Sequence, residues 1–158
     1  MKPMRTRSRN ATSQQADPQT TDQCELEMKI TVLVVEDDPL ARLNIVNELE
    51  MWGFHVYEAA NVREAVFIVN EAARIHLVVA DLDMAGSIDG VMFAAGVRDT
   101  WPTIEIIVTS SQSQLNRSAL PKGSRFLPKP CSAAEIAYAI TSMTGQRTST
   151  FRKKDSGA

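Results

Sequence analysis

The chain has 158 residues, 44% hydrophobic and 23% charged, enough to bury the core of one globular domain, and its formal net charge of -2 argues neither for nor against nucleic acid as a partner. Its two cysteines, Cys24 in a polar stretch and Cys131 beside Pro130, form neither a disulfide framework nor a zinc-binding spacing. No apolar run reaches the roughly 18 residues of a spanning helix and the N-terminus lacks the apolar middle of a signal peptide, so a cytoplasmic protein without membrane insertion is expected.

Composition divides the chain into three. Residues 1–28 are rich in Thr, Ser, Gln and Asn, open with Lys2, Arg5, Arg7 and Arg9, and show no apolar period, so they are expected to form a disordered tail. Residues 29–144 alternate apolar runs with helical patterns, and residues 145–158 form a polar, basic tail through Arg152-Lys153-Lys154.

Within the middle part, Ile30 to Val35 is a short apolar run of the kind found in a central parallel strand. Asp38 and Pro39 then supply a cap and a first helical residue, Leu40, Leu43, Val46 and Leu49 recur at spacing three as a buried stripe, and Gly53 closes the helix. Phe54 to Glu58 reads as a second strand, and Asn61 with Glu64 as a capping box for a helix to about Arg74. Leu77 to Ala80 is the third strand, Gly86 to Gly90 a loop, and Val91 to Thr100 a helix packing Val91, Ala94, Ala95 and Val97. Ile104 to Val108 is the fourth strand, Gln112 to Leu120 a weakly apolar segment read as helix, and Arg125 to Leu127 a short fifth strand. Ser132 and Glu135 make a capping box for the last helix, with Ile136, Ala139, Ile140 and Met143 facing inward. Five β/α alternations with right-handed crossovers predict an α/β fold, a flavodoxin-like doubly wound sheet of five parallel strands, (βα)5, in the order 2-1-3-4-5.

The chemistry gathers where these strands end. Glu36-Asp37-Asp38 follows the first strand, Asp81 the third, Thr109-Ser110 the fourth and Lys129 the fifth, and the carboxyl edge of an open α/β sheet is its ligand crevice. Carboxylates gathered there repel one another by about 4 kcal/mol per pair at 4 Å in an effective dielectric near 20, a cost that a bound cation removes. Oxygen-only donors without His or Cys select a hard ion, Mg²⁺ before others. Asp81 can then act as a carboxylate nucleophile toward a phosphoryl donor, with Lys129 and the Thr109 hydroxyl on the phosphoryl oxygens. A dinucleotide is disfavoured, because no Gly-rich turn follows the first strand and Glu36 and Asp37 would repel a pyrophosphate.

Taken together, Val34-Val35-Glu36-Asp37-Asp38-Pro39, Asp81 with Met84 and Asp89-Gly90, Thr109-Ser110 and Lys129-Pro130 resemble the response-regulator receiver domain of two-component signalling, over about residues 29–144. The resemblance implies that Glu36, Asp37 and Asp81 hold the metal with the backbone carbonyl of Asp83. It further implies that Asp81 accepts phosphate from a kinase histidine, that Thr109 and Phe126 form a switch pair, that Lys129 senses the phosphate, and that the Lys129–Pro130 bond is cis. Two departures stand out: Ala85-Gly86-Ser87-Ile88 where the family usually has proline after Met84, and Cys131 where an aromatic often follows Lys-Pro; Asp83 and Ser111, each two residues past a site residue, resemble the positions that control water access to the acyl phosphate.

Other residues have plainer readings: Asp38 as a helix cap, His55 and His76 as strand-edge residues, Trp52 and Trp101 as packing. The expected function is a single-domain response regulator, not an enzyme beyond its own phosphorylation and dephosphorylation. Its partners would be a sensor histidine kinase or histidine phosphotransfer protein and a downstream protein target meeting the face around Phe126 and Cys131. With about fourteen residues after the last helix there is no room for a helix-turn-helix, so no direct DNA binding is expected. The alternatives are a phosphate relay or sink, a small Mg²⁺-dependent phosphohydrolase using Asp81, and a phosphorylation-independent binding module.

Overall fold

The computed structural model describes residues 29–84 and 87–145, with side chains from Gly90 onward in the second stretch; the expectations for residues 1–28, 85–86 and 146–158 fall outside what it describes. Strands β1 (Thr31–Val35), β2 (His55–Ala59), β3 (Leu77–Asp81), β4 (Glu105–Ser110) and β5 (Arg125–Pro128) pair in parallel in the order β2-β1-β3-β4-β5. Helices α1 (Pro39–Met51), α2 (Val62–Glu71), α3 (Ser87–Thr100) and α4 (Ala133–Thr144) cover the sheet on both sides.

Alternation along the central strands makes the two cores. In β1, Leu33 and Val35 point to the face packed by Ala65 and Val69 of α2 and Phe93, Ala94 and Val97 of α3. Val32 and Val34 point to the other face, against Leu49 of α1 and Ile136, Ala137 and Ile140 of α4. Strands β1 and β3 are buried along their whole length, which explains why each is a continuous apolar run without a polar face. The chain steps from β1 outward to β2 and then back across to β3, so the strand order reverses at the β1/β3 boundary and leaves a crevice between their carboxyl ends.

Local signals hold at most helix ends. Asp38 Oδ1 accepts from the amides of Leu40 and Ala41, both at 2.8 Å, and Gly53 at φ 90° lets the chain leave α1 in a conformation that side chains disfavour. Ser132 and Glu135 form the expected reciprocal box, with Oγ accepting at 3.1 Å and Oε2 at 2.6 Å. Trp52 and Trp101 pack against the two cores as expected.

Four expectations are corrected. The spacing-three stripe of α1 is not one buried face: Leu49 is buried, but Leu40 is 78% and Leu43 53% exposed. Each step of three residues falls short of a full turn by about 60°, so Leu40 lies about half a turn from Leu49. Helix α2 ends at Glu71 with Ala72 as an extended cap, short of Arg74, because Ile75 is drawn into the core ahead of β3. Helix α3 starts at Ser87, a turn before Val91, and the first of its two glycines packs closely there: a Cβ on Gly90 would lie 3.0 Å from Leu82 Cδ2 and 3.6 Å from the Asp81 carbonyl oxygen. Between β4 and β5 there is only a 3-10 turn, Arg117–Ala119, where a full helix over Gln112 to Leu120 was expected, so the described residues carry four α-helices and not five. Asn116 caps that turn through the Ser118 amide, and Ser, Asn and Gln side chains with only Leu115 and Leu120 facing the core give a longer helix no face to bury.

Among the described residues no helix is long and apolar enough to cross a membrane.

Candidate functional site

Four of the five strands, β1, β3, β4 and β5, carry groups to the crevice at their carboxyl ends. Glu36 continues β1, its amide donating to the Ala59 carbonyl at 3.0 Å, and its side chain is buried where the strand leaves the core. Its Oε1 accepts the Asp38 amide at 3.0 Å, while Arg42 of α1 donates to its backbone carbonyl at 2.7 Å and reaches Glu58 at 3.4 Å. Asp37 is exposed beside it. Asp81 ends β3 and is 4% exposed; its Oδ1 accepts the Asp83 amide at 2.8 Å and its Oδ2 pairs with Lys129 Nζ at 2.8 Å.

Lys129 arrives from the end of β5, its amide donating to the Ser110 carbonyl at 2.9 Å, and the Lys129–Pro130 bond is cis as expected. Thr109 is paired with Asp81 in the β3–β4 register and is buried at the tip of β4. Phe126 is half-buried against the α2/α3 core, with the Arg117 guanidinium 4.7 Å above its ring. Thus the structure brings together Glu36, Asp37, Asp81, Asp83, Thr109 and Lys129, and leaves Phe126 one strand away at the flank, facing Val108 and not Thr109 in the strand register. His55 and His76 lie at the strands' opposite ends, in keeping with their reading as edge residues.

One set of contacts was not legible from the sequence. The Asp83 carboxylate is held between strand tips: Ser110 Oγ donates to Oδ1 at 2.7 Å, the Ser111 amide donates to Oδ2 at 2.8 Å, and Lys129 stands 3.4 Å away. The place of Ser110 beside the Asp81 strand was a signal, but Asp83 lies past the end of β3, where register no longer fixes a partner.

Charge in the pocket is unbalanced. Burial pushes Glu36 up to about 7, against the Asp38 hydrogen bond, with neighbouring Asp81 adding to the rise. Burial would lower the Lys129 ammonium, but its contact with Asp81 outweighs that and raises its pKa. Burial likewise works against the Asp83 carboxylate, and the Ser110 and Ser111 bonds overcome it and hold the pKa low. One lysine therefore faces several acids. Glu36, Asp37 and Asp81 can each offer an oxygen, and these lie within 4.8 Å of one another. An all-oxygen donor set with an uncompensated buried acid fits a hard divalent cation.

Comparison with known proteins agrees with this geometry. Residues 32–141 match the family described as response regulator receiver domain. The chain is 33% identical over 123 residues to the sensor kinase CckA of Brucella abortus (strain 2308), covering 75% of this chain and 13% of that protein. It is 26% identical over 116 residues to the phyllosphere-induced regulator PhyR of Methylorubrum extorquens, covering 73% of this chain and 43% of the relative, so it spans less than half of either protein. In fold it resembles a response regulator receiver protein from Sinorhizobium medicae WSM419, with a TM-score of 0.69 at 24% identity over 75% of this chain and 97% of the other.

Proposed function

The chain belongs to the response regulator receiver domain family of two-component signalling, and we propose that within it Asp81 is the phosphoacceptor, taking a phosphoryl group from a histidine of a sensor kinase or phosphotransfer protein. The observation that carries this reading is Asp81 itself, a buried carboxylate at the sheet's switch point with Lys129 2.8 Å away and Glu36 and Asp37 alongside. In the transfer an Asp81 carboxylate oxygen attacks phosphorus, the P–N bond of the donor phosphohistidine breaks, and the imidazole leaves with the bonding pair. Lys129 faces the charge that develops on the phosphoryl oxygens, and the Asp83 amide on Oδ1 fixes the orientation of the carboxylate.

Receiver domains bind Mg²⁺ at an acidic pocket, and Glu36, Asp37 and Asp81 with the Asp83 backbone carbonyl would hold it here. When bound, the ion neutralises charge between carboxylates and phosphoryl oxygens. Thr109, paired with Asp81 in the strand register, would give its hydroxyl to a phosphoryl oxygen, and the face around Phe126 and Cys131 would carry the change to a protein target. Residues 29–144 form the receiver unit in this reading, with polar segments at 1–28 and 145–158 and output through protein contact.

The similarity to a sensor kinase favours a second reading, a relay in which Asp81 hands its phosphoryl group on to another histidine. Chemistry in either case is confined to the domain's own acyl phosphate.

The test is intact mass after incubation with acetyl phosphate and Mg²⁺, for the native chain and Asp81→Asn. A gain of one phosphoryl group that needs both the metal and Asp81 is expected; a gain that survives Asp81→Asn, or none in the folded native chain with either acetyl phosphate or a phosphorylated kinase, would overturn the proposal. Rapid transfer from the phosphorylated chain to a phosphotransfer protein would select the relay.

A further inference from the structure

The sheet carries opposite charge at its two ends. Acids crowd the carboxyl ends of β1 and β3, whereas Lys29, His55, Arg74 and His76 gather around the amino ends of β1, β2 and β3. With α2 stopping at Glu71, His55 and Tyr57 of β2 stay exposed on that face, beside the buried Thr31 of β1. Thr31, His55 and Tyr57 lie on it, because Val56 between them packs into the opposite core. Together with Lys29, Arg74 and His76 they line a cleft of about 510 Å³, within the size range of small-molecule sites.

The cleft has more positive charge than the fold requires. The carbonyl end of α2 presents about half a negative charge, which a single cation complements. Two permanent cations line this cleft, and neither Lys29 nor Arg74 has an ion-pair partner among the described residues, in contrast with Arg42 and Lys129. Burial, and then the Arg74 charge, hold the His76 imidazole below its usual range, a field that a bound anion would relieve. The Thr31 amide donates to His76 Nδ1 at 2.9 Å, so Nε2 carries the proton of the neutral ring and is a donor. The walls are aromatic as well as cationic. His55 and Tyr57 meet edge to face, with centroids 5.0 Å apart at 81°.

We propose that this cleft is a second ligand site, for a small phosphate monoester that carries a flat ring, of mononucleotide size, bound through Lys29, Arg74 and the His76 Nε2–H with its ring against Tyr57 and His55. It lies at the other end of β1 from Glu36, about 16 Å along the strand, and is independent of the phosphoacceptor reading.

The test is a backbone and histidine-ring NMR titration of the full chain, without Mg²⁺, using adenosine 5′-monophosphate as the probe and adenosine and inorganic phosphate as controls. Saturable shifts at His55, Tyr57 and His76 are expected with the nucleotide, weaker binding with phosphate, and none with adenosine. Arg74→Gln, an exposed substitution outside the core, should weaken the nucleotide by about tenfold, as for loss of a charge-assisted hydrogen bond. Shifts that do not saturate, that centre on Glu36 and Asp81, that persist unchanged in Arg74→Gln, or that inorganic phosphate reproduces with equal affinity would each overturn the proposal.

Discussion

Ser110 fastens Asp83 to the neighbouring strand: its hydroxyl donates to Asp83 Oδ1 at 2.7 Å, and the Ser111 amide holds the other oxygen at 2.8 Å. A carboxylate is thereby fixed beside Asp81, sharing Lys129 with it. An approaching anionic donor meets that charge, and unit charges 4 Å apart repel by about 1 kcal/mol even in bulk water. Asp83→Asn should therefore accelerate phosphorylation by acetyl phosphate on the order of fivefold. Ser110→Ala, which keeps the charge but frees it to swing away, should give a smaller acceleration. Stopped-flow or quenched time courses by intact mass read both; a slower Asp83→Asn would mean that the carboxylate assists and does not repel.

The ion pair of Lys129 with Asp81 makes a stability prediction. Asp81 is almost fully buried and Lys129 is about a third exposed, so removing the lysine leaves a buried carboxylate whose Oδ1 keeps the Asp83 amide while its Oδ2 loses the cation. Lys129→Met should cost about 1–3 kcal/mol in urea unfolding. Adding Asp81→Asn should recover most of that loss, since the uncompensated charge is then gone. Additive losses in the double variant would show that the two residues do not act as a pair.

A pH dependence follows from Glu36. Its pKa is raised in the folded chain from 4.5 to about 7, so between those values the folded state binds a proton that the unfolded state has released. Stability from this group is present below about pH 4.5 and is lost as pH rises through about 7. In chelator, the native chain should thus lose stability relative to Glu36→Gln between pH 5 and 8. Magnesium should restore more stability at pH 8 than at pH 6, because at the lower pH it must displace the proton. Thermal melts of both chains across this range check the sign; parallel curves would sink it.

How far the sequence reaches depends on what sets each feature. Strands β1 and β3 are legible because both faces are buried, and their ends place Glu36, Asp37 and Asp81 without further information. Capping at Asp38 and Ser132 is legible because the donor and acceptor are three residues apart or fewer. The segment after β4 is not, since its weak apolar content leaves Asn116 and Ser118 to decide locally between helix and turn. Nor is the Ser110–Asp83 bond, which joins the last residue of β4 to a residue 27 positions earlier, past the end of β3, and so depends on the tertiary packing of β3 against β4.

The misread stripe of α1 leads to the last prediction. Leu40 and Leu43 are 78% and 53% exposed on the first turns of the helix that starts immediately after Glu36 and Asp37. Their burial contributes little to the fold, so neither is explained by the core. If Asp81 is phosphorylated as proposed, apolar side chains at the rim of its acidic pocket suit a partner carrying a phosphohistidine, and buried apolar anchors of that kind are worth about 1–2 kcal/mol each. The double substitution Leu40→Ser with Leu43→Ser should leave unfolding within about 0.5 kcal/mol of native and leave phosphorylation by acetyl phosphate unchanged. Transfer from a phosphorylated kinase should slow by about tenfold or more, because only that reaction needs the docking surface. Equal slowing with acetyl phosphate would place the leucines in the pocket's own chemistry, and no slowing with the kinase would move the docking surface elsewhere.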